Sequence, residues 1–222
     1  MALALVSKAD GLSSALAIPG VWRGERQRDA VPTVSTGLRT LDDGLLGGWT
    51  RGALTQLITP AAGFGLSLLL PTLAALTQRG ESIAFIAPPH LPCAPGLATQ
   101  GLDLRHLLWI EPARPAQGLW ALEQLLRSGL YAAVLYWTAP VDTTTERRLQ
   151  LAAEQGQGLA FCFQTRGEDD HSYAATRLSL KPVPAQSPAL QITVLKHRGL
   201  RAGRSLRHTP ALPVALSPSP SR

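Results

Sequence analysis

The stretch of this chain laid out for chemistry on phosphates is Leu57-Ile58-Thr59-Pro60-Ala61-Ala62-Gly63-Phe64-Gly65-Leu66-Ser67. A hydrophobic run leads into a tight turn containing two glycines, and an apolar segment follows that reads as a helix starting near Gly65. In a working phosphate-binding loop, backbone N–H groups cradle the phosphates, a lysine after the last glycine reaches them, and the next Ser or Thr holds magnesium. Here Gly65 is followed by Leu66, and no lysine lies between Lys8 and Lys181. Thr59, Pro60, Gly63, Gly65 and Leu66 therefore mark a loop with the layout of a nucleotide site and without its chemistry. The expectation is a chain with no cofactor.

Other reactive-looking residues have plainer readings. Asp42-Asp43 lies in an early helix and reads as a solvated face. Glu168-Asp169-Asp170-His171 has the composition of a metal site, but contiguous acids in a turn usually face water. Ser128 and Ser172 have no base at a recognisable spacing. The five histidines are scattered and the two cysteines, Cys93 and Cys162, stand alone, so no zinc spacing is present and no metal is expected. Apolar or proline-rich neighbours suggest that both thiols are buried in a reducing cytosol. His90, set among Pro88, Pro89 and Pro92, falls where strand ends face a ligand crevice, which makes it a candidate contact residue.

The elements that must position these residues follow from pattern and punctuation. The run Ala53 to Ile58 suits a central, doubly covered strand. The helix after the loop carries Leu68, Leu69, Leu73 and Leu76 and ends at Gly80, with Pro71 expected to kink it. Strands are expected at Ser82–Ala87, His106–Ile110, Tyr131–Trp137 and Leu159–Phe163, with helices at 94–100, 116–127 and from Asp142-Thr143 onward. The segments 174–181 and 190–196 alternate like an antiparallel hairpin. Strands interleaved with helices predict an α/β fold, a three-layer sandwich with a mainly parallel central sheet and a C-terminal antiparallel hairpin. We divide the chain into a leader arm, 1–33, an α/β domain, 34–196, and a flexible basic tail, 197–222.

With 222 residues, 45% of them hydrophobic, the chain can bury a core. The net charge of +6 resides entirely in the last stretch, where Lys196, Arg198, Arg201, Arg204, Arg207 and Arg222 stand without an acid and residues 1–195 are neutral. That asymmetry points to nucleic acid or an acidic partner. Trp22, between Val21 and Arg23 in the leader, reads as an anchor onto the domain or a partner. The apolar stretch 66–76 is broken by Ser67, Pro71 and Thr72, and the first eight residues lack the charge order of a secretion signal, so a cytoplasmic protein without a membrane span is expected.

The order Ser35-Thr36-Gly37, Leu41-Asp42, Gly47-Gly48, Arg51-Gly52, strand, loop, helix resembles the core of the RecA recombinase family. The likeness continues through Gly80-Glu81-Ser82-Ile83-Ala84-Phe85-Ile86, Leu102-Asp103-Leu104 and Val194-Leu195-Lys196-His197-Arg198, covering roughly residues 34–198. A narrower resemblance is to the ImuA family, RecA-like proteins encoded with translesion-synthesis factors. It rests on Val21-Trp22-Arg23-Gly24, Ile86-Ala87-Pro88-Pro89-His90-Leu91-Pro92, Leu119-Trp120-Ala121-Leu122-Glu123-Gln124 and Arg147-Arg148-Leu149-Gln150-Leu151-Ala152-Ala153-Glu154.

What the RecA resemblance implies is an ATPase site with a lysine on the phosphates, a carboxylate polarising the attacking water and an aspartate for magnesium. Aligned on Pro60, those positions fall at Gly65, Pro89 and Trp137, and the hydroxyl position falls at Leu66. Loss of the lysine alone removes a charge-assisted contact of about 1.5–3 kcal/mol. The expectation is a protein that is not an enzyme, with Trp137 and Leu66 packing where nucleotide would sit. The family's two DNA-binding loops correspond to Thr138–Thr145 and Thr165–Tyr173, both short and the second acidic, which speaks against recombinase-style DNA binding through them. DNA or partner contact is therefore expected from Arg147, Arg148, Lys196, Arg198, Arg201 and Arg204, with Trp22. The ImuA resemblance implies an accessory role in SOS-induced error-prone translesion synthesis beside an ImuB-like Y-family polymerase homologue, a DnaE-type polymerase and RecA. The alternative is a division inhibitor like SulA, which also lacks the lysine and targets FtsZ.

Overall fold

The computed structural model describes residues 32–165, 172–183, 189–200 and 202–209. The description below concerns the described residues from 32 onward. Trp22, Arg201, the acidic segment 166–171 and the end of the chain from 210 lie outside the described residues.

The order is β1 (Thr33–Val34), α1 (Arg39–Gly44), β2 (Trp49–Thr50), β3 (Ala53–Ile58), α2 (Leu70–Gln78), β4 (Ser82–Ile86), α3 (Ala94–Thr99), β5 (Leu107–Ile110), α4 (Pro115–Ser128), β6 (Tyr131–Trp137), α5 (Thr143–Gly156), β7 (Leu159–Gln164), β8 (Thr176–Pro182), β9 (Leu190–His197) and β10 (Arg204–His208). Strands β1 and β2 form a small antiparallel ribbon, which brings Thr33 into the folded part. The other eight form one sheet in the order β10-β9-β8-β3-β7-β6-β4-β5. From β8 to β5 every pairing is parallel; β9 and β10 add antiparallel strands beyond β8.

Strand β3 sits at the centre because all six of its residues are buried, as a strand covered on both faces requires. One core lies under α1 and α2 and gathers Leu57, Leu73, Phe85, Phe161, Leu178 and Val194. The other lies under α4 and α5 and gathers Leu54, Ile86, Leu122, Tyr136 and Leu149. Polar groups tie the layers. Trp49 Nε1 donates to Thr72 Oγ1 at 3.0 Å, Thr72 donates to the Ser35 carbonyl at 3.1 Å, and the Trp49 ring meets Phe161 edge-on at 5.1 Å.

Several expectations change here. The helix after the loop does not begin near Gly65: a 3-10 turn, Leu66–Leu68, comes first and α2 starts at Leu70. Pro71 thus occupies the first turn of α2, where a missing N–H costs nothing, and causes no kink. Asp42 is not a free surface acid, since it accepts from Thr36 N and Ser35 Oγ, both at 2.7 Å, and closes the turn before α1. The basic end is not a tail from residue 197. Gly203 N donates to the Val194 carbonyl, and Arg204–His208 return as β10, with Leu206 packed toward Gly44 of α1.

Candidate functional site

The candidate site is the crevice at the C-terminal ends of β3, β4, β6 and β7, beside the loop 59–66. Sheet topology makes it, because β3 pairs with β7 and β8 while the chain leaves it for β4, three places across the sheet beyond β7 and β6. Thr59 N donates to the Gln164 carbonyl at 2.8 Å, continuing the β3–β7 ladder one step, and Thr59 Oγ1 donates to the Ala61 carbonyl at 3.1 Å. Gly63 and Gly65 take the left-handed region, with φ of +79° and +91°.

Of the three positions that the resemblance marks, Gly65 and Trp137 carry packing and Pro89 is exposed. Gly65, at the lysine position, faces the Leu180 side chain: a Cβ placed there would lie 2.6 Å from Leu180 Cδ1. Leu66 and Phe64 join the apolar cluster under α2. Pro89 and His90 lean over Gly63, where a Cβ would stand 3.1 Å from His90 Cδ2 and 3.5 Å from Pro89 Cγ. Ala87, with a φ of +50°, turns the chain out of β4 into this proline-rich loop. Trp137 ends β6, stacked on Phe163 with centroids 4.9 Å apart and planes 6° apart, and set edge-on to Phe85 at 5.6 Å. His90 is thus at the loop, as its place after β4 suggested. Sequence reasoning missed Leu180, which arrives from β8, more than 100 residues after the loop, and no local signal announces it.

Two side-chain donors buried at this end of the sheet, Trp137 Nε1 and Gln164 Nε2, have no acceptor among the described residues. They lie on neighbouring strands, Trp137 in register with Phe163, the residue before Gln164. Among the described residues no group of three or more His, Cys, Asp or Glu side chains is arranged to hold a metal ion.

A second polar centre lies between β3, α5 and β8. Glu146 of α5 is 6% exposed and accepts from Gln56 Nε2 and, at 3.0 Å, from Tyr173 N. Gln56 Oε1 in turn accepts from Arg177 Nε at 2.9 Å and from Ser172 Oγ at 3.1 Å. Ser172 Oγ, which also accepts from Ala174 N at 3.1 Å, thus makes structural hydrogen bonds. Cys162, next to Gln56 in register, is fully enclosed: burial, then the charge of Glu146, pushes its thiol up to about 12. Cys93, expected to be buried, is exposed at the start of α3. We expect one thiol per native chain to react with a disulfide reagent at pH 8 and two after denaturation. Two reactive thiols in the native state would contradict the placement of Cys162.

The cations expected to make contacts divide. Arg148 reaches across to α4, where Glu123 accepts from it at 2.6 Å and from Arg127 at 2.8 Å. Arg147 lies over the Tyr173 ring, 5.8 Å from its centroid, and Lys196 donates to the Ser172 carbonyl. Arg147 and Lys196 therefore converge on Ser172-Tyr173. Arg198 is exposed in the turn after β9, and Arg204 is exposed at the start of β10.

Comparison with known proteins fits this geometry. The family model described as cell division inhibitor SulA matches residues 60–160. A cell division inhibitor SulA from Edwardsiella piscicida is 34% identical over 102 residues, 45% of this chain and 60% of that protein. A RecA protein from Synechococcus sp. (strain CC9605) is 32% identical over 143 residues, 64% of this chain and 37% of that protein, and one from Prochlorococcus marinus (strain MIT 9211) is 31% identical over 112 residues, 50% and 30%. The chain thus spans about 60% of the SulA relative and about a third of the RecA relatives. Among solved structures, the RadB recombinase superposes with a TM-score of 0.64 at 18% identity, covering 79% of this chain and 94% of that one. The fold is RecA-like, and the sequence is similar to both SulA and RecA. No helix among the described residues is long and apolar enough to cross a membrane.

Proposed function

We propose that this chain is a non-catalytic RecA-like accessory protein of the DNA-damage response, an adaptor in SOS-induced error-prone translesion synthesis. Its partners on this reading are an ImuB-like Y-family polymerase homologue, a DnaE-type polymerase and RecA. The observation that carries the reading is the loop at β3: Leu180 stands against the lysine position, and Trp137, stacked on Phe163, holds the magnesium position. Phe64, Leu66 and Trp137 pack against the apolar core while residues 60–63 and Pro89 stay exposed, which supports binding rather than catalysis as the role of the scaffold.

A second reading, a division inhibitor that binds FtsZ, is favoured by the SulA match across residues 60–160. Against it stands the extent of the RecA-like part: β1 to β3 and β8 to β10 lie outside that range, and the likeness to RadB covers 79% of the chain. The two readings separate in one experiment. The tagged full-length protein is used to capture the ImuB-like protein, RecA, the DnaE-type polymerase and FtsZ, each purified, in parallel. Capture of the ImuB-like protein or RecA without FtsZ is the expected result. Capture of FtsZ alone makes the chain a division inhibitor.

A further inference from the structure

The eight-stranded sheet ends in two edges of unlike chemistry. At one, β5 reads Leu-Leu-Trp-Ile, with Leu108 and Trp109 exposed. At the other, β10 reads Arg-Ser-Leu-Arg-His, and among the described residues no strand pairs with its outer side. Strand alternation gives β10 two faces. Leu206 packs against the core beneath α1 and is in register with Ile192 of β9. Ser205 and Arg207 point the other way, in register with Thr193 and Gln191. Thr193 Oγ1 and Ser205 Oγ are 3.0 Å apart, and Gln191 Nε2 donates to Ser205 Oγ at 3.2 Å. Leu206 on one face and Ser205 on the other thus fix β10 to β9, with its outer backbone N–H and C=O groups held in strand geometry.

Charge of one sign decides what such an edge accepts. Residues 171–222 include eight Lys or Arg and no Asp or Glu, so β8, β9 and β10 offer no acid to a neighbour. Arg204 and Arg207 are exposed, one on each face of β10, and among the described residues neither forms an ion pair. Charges along an edge turn away strands of the same kind. A second copy joined through β10 would set four arginines along one two-stranded ribbon, and like charges across strands are destabilising. A DNA strand meets the cations, but its phosphodiester backbone carries acceptors only and leaves the outward carbonyls of β10 unpaired. A polypeptide strand supplies donors and acceptors at the repeat that β10 presents.

We infer that β10 is a docking edge for an acidic segment of a partner protein, which joins the sheet as an added strand. Backbone hydrogen bonds to β10 supply affinity, and side chains at alternate positions supply selection. In an antiparallel strand with an apolar residue beside Leu206, the residue before it faces Arg207 and the second residue after it faces Arg204. The fitting sequence is therefore acid, apolar, any residue, acid. This edge lies three places across the sheet from β3, so the inference does not rest on the state of the loop there.

The test follows the fluorescence anisotropy of a dye-labelled peptide, Thr-Glu-Val-Thr-Glu-Val-Thr with blocked ends, on the full-length protein at low salt. Saturable binding is expected, and none for the same peptide with Lys in place of Glu. Two N-methylated forms of the acidic peptide, each blocking every second backbone N–H, separate edge pairing from charge attraction. The form methylated along the edge that faces β10 is expected to bind about tenfold or more weakly, since it loses two or more hydrogen bonds. The form methylated along the far edge keeps its affinity. Arg204→Gln with Arg207→Gln is expected to weaken binding about fivefold, two cross-strand charge pairs at the middle of their usual range. Arg204→Glu with Arg207→Glu reverses the preference, taking the Lys peptide and refusing the Glu peptide. Arg105→Gln, beside β5, changes nothing. Unaltered melting temperatures show that the variants fold, and the methylated peptides report on the unaltered protein.

The inference is overturned by no binding of the acidic peptide, by equal behaviour of the two methylated forms, or by a 20-mer of dT that displaces the peptide better than unlabelled peptide does. Sedimentation that shows a dimer of the free protein, dispersed by the acidic peptide, gives the edge to a second copy and overturns it too. Peptide binding and the partner capture described above are separate readouts, so the failure of one leaves the other standing.

Discussion

Gly156→Ala is expected to lower the stability of the fold by about 2–3 kcal/mol and its melting temperature by about 5–10 °C. Two effects oppose each other at this position. Alanine is the better helix former by about 1 kcal/mol, and Gly156 ends α5. A Cβ there, however, falls inside the contact distance of the Leu126 carbonyl oxygen and 3.2 Å from Gly129 N, both backbone atoms at the end of α4. Backbone cannot swing aside as a side chain does, so the two helices must separate. Overpacking of this kind costs about 3 kcal/mol or more, which outweighs the helix gain. Gly96→Ala is the control, because its Cβ meets only the Cys93 side chain. Thermal unfolding followed by circular dichroism checks both, and a Gly156→Ala protein as stable as the parent would show that α4 and α5 are not held this close.

Installing the residues that the loop lacks, Gly65→Lys with Leu66→Thr, is expected to give no magnesium-dependent ATP hydrolysis and a fold about 2–5 kcal/mol less stable. Gly65 has a φ of +91°, where a side chain costs about 1–2 kcal/mol. Leu180 Cδ1 stands 2.6 Å from the new Cβ, which adds overpacking of about 1–3 kcal/mol. Removing the obstacle with Leu180→Ala exchanges it for a cavity in the apolar core, at about 2–5 kcal/mol. Pro89 and Trp137 remain where the carboxylate and aspartate would be needed. Hydrolysis by the double variant above its background would sink the non-catalytic reading of the site.

The fold was legible in the sequence because its strongest signals are local. The buried run at β3, the alternation in β8 and β9 and the leucine faces of α2 and α4 each declare an element, and their order implies a parallel sheet. The errors lie where a distant partner decides. Asp42 looks like a surface acid until Ser35 and Thr36 fold back onto it. Cys93 has apolar neighbours in sequence and solvent in space. Arg204–His208 carry three charged or titratable residues in five, a composition that suits a tail. Yet Leu206 reaches the side of α1 and Ser205 meets Thr193, so tertiary contact overrides composition. That Leu66 rather than a lysine follows Gly65 was readable from the sequence alone. What replaced it, Leu180 against Gly65 and the Trp137–Phe163 stack, needed the fold.

The position of β3 in the sheet sets a schedule for folding on the ribosome. Both strands that flank it, β7 and β8, are encoded roughly 100 residues or more downstream, so its ladder stays open until they emerge. At a synthesis rate of about 5–20 residues per second, the interval is about 5–20 s. For that time an apolar strand with free edges is a pairing template for other chains. Chaperone capture of nascent chains is therefore expected to centre on lengths that expose β3 and stop short of β7, and to fall once β8 has cleared the exit tunnel.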